Sequence, residues 1–185
     1  NTANATSMAE MFHDCENLTS LDVSGFNTSN VTSFYRMFKD CYDLTTLNVS
    51  NFNTSSVTGN GFREMFSNCR SVTTLDVSGF NTSGATDIQG MFGYSRSLTS
   101  LNVSSFNTTN VTNMSSMFRE ITSFTGTLDL SGFDTSSVTN MSYMFANAGS
   151  SSGSMVINTT GWDTSSVTNM SGMFYFTDVT GVTGI

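Results

Sequence analysis

Basic residues are scarce in this chain of 185 residues, which carries 6 Lys and Arg against 14 Asp and Glu, for a net charge of −8. No Lys/Arg cluster is present to displace the counterions of a phosphate backbone, so nucleic acid is not expected as a partner. Proline is absent and charged residues make up only 11% of the chain, so its polarity comes from uncharged groups. Long apolar runs are lacking too. None approaches the roughly 20 residues needed to span a bilayer, and no basic-then-apolar leader precedes Asn1. The reading is of a mature part, or an excerpt, of a longer protein. Histidine occurs once, at His13, so any Ser-His-Asp or Cys-His arrangement has a single imidazole to use. That residue lies in the first coil, where fraying is expected, and the chain is read as a non-enzyme. No CxxC pair exists, and His13 stands two positions from Cys15, which argues against zinc.

What the sequence has in quantity is 31 Ser, 29 Thr and 19 Asn, a composition that predicts disorder when it is unpatterned. Here it is patterned. A Met-Phe pair recurs at Met11, Met37, Met65, Met91, Met117, Met144 and Met173, with successive spacings of 26, 28, 26, 26, 27 and 29 residues. Such a period lies in the range of leucine-rich repeats and predicts seven coils in one solenoid over residues 1–185. Within a unit, Met8, Met11, Phe12 and Cys15 stand at i, i+3, i+4 and i+7, as do Phe34, Met37, Phe38 and Cys41. The spacing predicts a short helix, with Thr32, Thr86 and Thr112 as its N-caps. The words Leu18-x-x-Leu21-x-Val23 and Leu44-x-x-Leu47-x-Val49 predict a short strand. An aromatic closes each strand at Phe26, Phe52, Phe80, Phe106, Phe133 and Trp162, followed by an Asn/Asp-Thr pair suited to a turn. The expected fold is therefore an α/β repeat solenoid of leucine-rich-repeat type, with coils of roughly 26–29 residues that each hold a strand, a turn and a short helix. Around 147–162 the LxxLxV word is lost and a Gly/Ser-rich stretch, Gly149 to Ser154, is inserted, so an irregular coil is expected there.

The run LTSLDVSGFNTSNVTSFYRMFKDC, with LxxLxVSxFNTSxVT and MFxxC recurring along nearly the whole chain, resembles the BspA-like leucine-rich repeats of bacterial surface proteins. It is also similar to the repeats of mycoplasma surface lipoproteins. The resemblance implies an exported, extracellular protein, anchored by segments outside this chain and engaged in adhesion or surface display.

Several columns are candidates for chemistry. Cys15, Cys41 and Cys69 share one repeat position with Ser95, Ile121 and Ala148, which favours free, buried thiols over a disulfide. Asp22, Asp76 and Asp129 alternate with Asn48 and Asn102 in a strand column. Alternation with a neutral amide relieves like-charge repulsion between coils. A cation such as Ca²⁺ is the lesser reading of these oxygens; no other cofactor is expected. Asn27, Asn53, Asn81, Asn107, Asp134 and Asp163 form a turn column whose amides are expected to bond neighbouring coils. Of fourteen N-x-Ser/Thr sequons, Asn30 and Asn110 are outer-loop candidates for glycans. Tyr35, Arg36, Tyr42, Arg63, Arg70, Tyr94, Arg96 and Arg119 cluster on or just after the expected helices, and residues of these types anchor protein interfaces. Two functions are weighed: a surface module that binds a protein or glycan, and a structural subunit that stacks coils end to end with copies of itself into a fibre or surface layer.

Overall fold

The protein's structure, a computed structural model, describes residues 1–184. Successive repeats pair through short parallel strands, and no helix occurs among the described residues. The seven strands are β1 (Ser20–Leu21), β2 (Thr46–Leu47), β3 (Thr74–Leu75), β4 (Ser100–Leu101), β5 (Gly126–Asp129), β6 (Met155–Asn158) and β7 (Gly181–Thr183). They pair in parallel as β1-β2, β3-β4 and β5-β6-β7. Register joins equivalent repeat positions, as in Leu21 opposite Leu47 and Leu75 opposite Leu101.

The α/β solenoid with a helix in every coil is thus corrected to a coil of short parallel strand and successive turns. Hydrogen-bond routing gives the reason. In a helix every N–H bonds the carbonyl four residues back. Here alternate donors leave the coil: the N–H groups of Glu10, Phe12 and Asp14 bond the carbonyls of Tyr35, Met37 and Lys39 in the next coil at 2.8, 2.9 and 3.0 Å. The intervening His13 and Cys15 close local turns to Glu10 and Phe12 at 3.1 and 3.2 Å. This routing places one residue before and one three after each Met in the left-handed region, for example Glu10 (φ 58) and Asp14 (φ 59), Arg36 (φ 53) and Asp40 (φ 61). Those residues take the third position of a turn, where a positive φ is required. Turns of three-residue span bring the i, i+3, i+4 and i+7 side chains inward as a helix would. Apolar spacing alone therefore did not separate the two. A helix of about two turns is marginal without tertiary support, whereas this routing satisfies alternate donors through the adjacent coil and the rest in local turns.

The expected caps Thr32 and Thr112 have another use: each donates its Oγ1 and its N–H to a carbonyl of the preceding coil, Thr6 and Thr86. Gly149 to Ser154 forms a loop, and the coil behind it stays in register, because β6 pairs with both β5 and β7.

The core is a set of side-chain ladders. Phe38, Phe66, Phe92, Phe118 and Phe145 are fully buried and stack at centroid separations of 5.8, 5.8, 5.9 and 5.9 Å. Removing each such ring from water contributes about 1.5–3 kcal/mol. The strand-closing aromatics lean on this ladder, Phe52 on Phe38 and Trp162 on Phe145, both at 6.4 Å. Inside the turn column the threonines, not the asparagines, join the coils. Thr28 Oγ1 donates to the Asn53 carbonyl at 3.1 Å and accepts the Asn53 N–H at 2.7 Å. Thr54 does the same with Asn81, and Thr82 with Asn107. Asn53 Oδ1 instead accepts the N–H and hydroxyl of Ser55 in its own turn. A hydroxyl both donates and accepts, so one buried Thr satisfies two backbone groups of the next coil.

Candidate functional site

Turns around each Met-Phe pair turn the Met, the Phe and the cysteine column inward and leave the non-glycine left-handed residues half-buried or exposed, so equivalent residues of successive coils form a ribbon of polar columns. All six cations of the chain, Arg36, Lys39, Arg63, Arg70, Arg96 and Arg119, lie in this ribbon. So do the expected tyrosines: Arg36 covers Tyr35 at 4.7 Å from the ring centroid, Arg70 covers Tyr42 at 4.2 Å, and Arg119 lies 5.1 Å from Tyr94. The eight binding-surface candidates thus share one face of the solenoid. A groove of about 560 Å³ opens in its middle, lined among others by Lys39, Asp40, Glu64, Arg70, Tyr94, Arg96 and Arg119.

Carboxylates partner most of the cations. Glu64 accepts from Arg36 Nε at 2.8 Å and Lys39 Nζ at 2.6 Å. Burial pushes its carboxyl up, but these bonds outweigh burial and hold it below its ordinary value. For Arg36, burial works against the charge, while Glu64 and Glu10 overcome it and raise the pKa further. Arg63 approaches Asp87 at 3.5 Å, and Arg96 meets Glu120 at 2.5 Å. Arg119 differs: like Arg63 its Nε is buried with no hydrogen-bond acceptor, but no carboxylate among the described residues lies within 4 Å of it, and its guanidinium lies between two rings, with Tyr143 5.1 Å away.

Lys39, Glu64, Glu120 and Tyr143 were not among the expected residues. The same offsets from Met-Phe would have found them, because Tyr143 occupies the column of Arg36, and Glu120 the column of Asp40.

The remaining candidates are dispersed. Asp22, Asp76 and Asp129 stand in alternate coils, and each accepts a hydrogen bond from the serine two residues on. Those serine bonds lower all three carboxyls. Asn158 donates to Asp129 at 2.9 Å, a direct case of an amide bonding the neighbouring carboxylate. Among the described residues, the one grouping with metal-ligand spacing is instead His13, Asp14 and Asp40, with His13 Nε2 3.3 Å from Asp40 and 3.6 Å from Asp14. The contacts with these two carboxylates suffice to explain that histidine's placement.

The cysteines are free. Cys41 and Cys69 are buried, and their Sγ atoms donate to the Phe12 and Phe38 carbonyls at 3.1 and 3.2 Å. Ser95 repeats the bond to Phe66 at 2.9 Å, which makes the column a structural donor. Burial, then the nearby Cys15, pushes the Cys41 thiol up to about 12, and burial raises Cys69 well above its ordinary value; neither is a nucleophile. Asn30 and Asn110 are exposed, and their amides donate to the Ala3 and Ser83 carbonyls at 2.9 Å. No described helix is long and apolar enough to cross a membrane.

The protein family described as "Mycoplasma protein of unknown function, DUF285" matches residues 1–61 and 60–180. Comparison with curated proteins gives no match, nor does comparison with solved structures.

Proposed function

The chain belongs to this family of mycoplasma proteins, and from that premise we propose that it is a non-catalytic repeat module of the extracellular surface, akin to the BspA-like repeats, that holds a protein or glycan on its turn face. The observation that carries this reading is the gathering of all six cations and four of the five tyrosines of the chain on one ribbon. Scattered surface residues would give no such bias in a chain of net charge −8. Arg and Tyr are the side chains that most often anchor interfaces. The test is binding of the labelled chain to cell surfaces and immobilised matrix, compared with a variant carrying Arg70→Ser, Arg96→Ser and Arg119→Ser. Loss of binding in the variant supports the turn face. Equal binding moves the site elsewhere, and no binding by either protein removes the reading.

End-to-end stacking into a fibre is the second reading. It is favoured by an apolar hollow of about 240 Å³ in the last coils, lined by Trp162, Met170, Met173 and Phe174. Light scattering over a concentration series separates the two, since growth with concentration supports assembly and a constant monomer size opposes it.

A further inference from the structure

Four of the six cations have a carboxylate partner within 4 Å, and two, Arg70 and Arg119, have none among the described residues. Arg70 Nε donates to Asn68 Oδ1 at 2.8 Å, and its guanidinium is supported on Tyr42. Arg119 makes no side-chain hydrogen bond; its Nε is buried without an acceptor, and Tyr94 and Tyr143 hold it from both sides. A half-buried guanidinium with an unmade bond is costly to leave so. Ring stacking fixes its position but supplies no acceptor. Both arginines open on the groove of about 560 Å³, a size within the roughly 300–1,000 Å³ of small-ligand sites. No aliphatic side chain lines it. Its lining includes Ser67, Asn68, Gln89 and Ser116, hydroxyls and amides suited to the hydroxyls of a sugar, and the two carboxylates beside them, Asp40 and Glu64, are already engaged by Asn68 and by Arg36 and Lys39. An acidic peptide would leave its apolar neighbours without a pocket, and a free anion would leave these hydroxyls and amides unused.

We infer that this groove binds a carboxylate-bearing glycan, with Arg119 pairing the carboxylate of a uronic or sialic acid, Arg70 contacting the glycan further along the groove, and Ser67, Gln89 and Ser116 taking ring hydroxyls. The inference rests on the reading of the chain as a surface binding module and names its ligand class. Arginine is suited to the task because its planar fork pairs a carboxylate through two parallel bonds.

The test is calorimetric titration of the full chain with a hyaluronan hexasaccharide and with 3′-sialyllactose, beside the neutral chitohexaose and inorganic phosphate. At least one acidic sugar binds, more weakly as salt is raised, and the neutral oligosaccharide binds about tenfold less well or worse. Arg119→Gln and Arg70→Gln each weaken the acidic sugar about tenfold, and Arg119→Lys restores part of the loss. Arg70 is exposed, so its variant reports on binding even if Arg119→Gln unfolds; thermal melts of each identify that case. Equal binding of the neutral sugar, phosphate binding as tight as the sugar, unchanged affinity in Arg70→Gln, or no binding of either acidic sugar overturns the inference. The surface-binding assay separates its failure from that of the broader reading. Retained cell binding without sugar affinity leaves the module standing with another ligand, and loss of both removes both.

Discussion

Between Arg36 and Glu120 the turn face carries every Lys and Arg of the chain, whereas from Ile121 onward there is none. The strands run the other way: β1 to β4 have two residues each, while β5 and β6 have four and β7 three. Yet the core does not register the change. Phe145 stacks on Phe174 at 5.4 Å in the cation-free region, as Phe38 stacks on Phe66 at 5.8 Å in the charged one. Coil stacking therefore relies on the aromatic and threonine ladders. The charges of the middle coils are not required for that stacking, which is the physical ground for the proposal that they serve binding.

The strongest way to break this comparison is to cut the shared ladder. Phe92→Ala in the charged region removes a fully buried ring and is expected to cost about 3–5 kcal/mol. Phe174→Ala, near the end and only partly buried, should cost well under half as much. Urea unfolding of both variants checks the difference, and equal losses would mean that the ladder is not cooperative along its length. Next come the threonines. Thr82→Val and Thr135→Val each strip the bonds to the next coil from a site about 1% exposed. Each is expected to cost about 1–3 kcal/mol. The two losses should match within error, because the ladder is common to both regions; a much larger loss at Thr82 would tie the ladder to the charges after all.

The apolar columns, the seven-unit period, the short strand at Leu21 and Leu47 and the burial of Cys41 and Cys69, though not of the half-buried Cys15, were legible because each depends on side-chain spacing alone. The helix was not. Met8, Met11, Phe12 and Cys15 point inward equally in a helix and in a run of turns, and what separates them is the partner of the Phe12 N–H, Met37 O, a contact between coils that no local pattern contains. Residues Glu10, Asp14, Arg36 and Asp40 adopt positive φ without being glycine, so the usual marker of the left-handed region was missing. At the site, the tyrosines and arginines stood out by type. Tyr143 and Glu64 did not, since their roles follow from columns read across coils.

Acidification sharpens the contrast further. The Glu64 carboxyl lies below its ordinary value of 4.5 in the folded chain, so its contribution is complete above the unfolded value and is lost as pH falls through the folded one. Glu64→Gln should therefore destabilise by about 1 kcal/mol at neutral pH, and the difference from the parent should shrink below about pH 4. Melts across pH 3–7 measure it, and a gap independent of pH would show that packing, not the Arg36 and Lys39 pairs, is what Glu64 supplies.

The smallest effect separates the regions by backbone alone. Phe176 holds φ 51 with its side chain 74% exposed, and its ring meets Tyr175 at 4.4 Å. A left-handed residue with a Cβ costs roughly 1–2 kcal/mol, and glycine avoids that cost while adding unfolded-state entropy of about 0.5–1 kcal/mol. Phe176→Gly is thus expected to raise stability by about 0.5 kcal/mol. Asn68 occupies the equivalent column at φ 65, but its amide is tied to Asp40 and Arg70. Asparagine also tolerates this conformation better than phenylalanine does. Asn68→Gly should therefore lower stability, so one substitution in one column changes sign between the end of the solenoid and its charged middle. If both variants gain, the Asn68 bonds are too weak to hold Arg70 at the groove, and the positioning assigned to that arginine weakens with them.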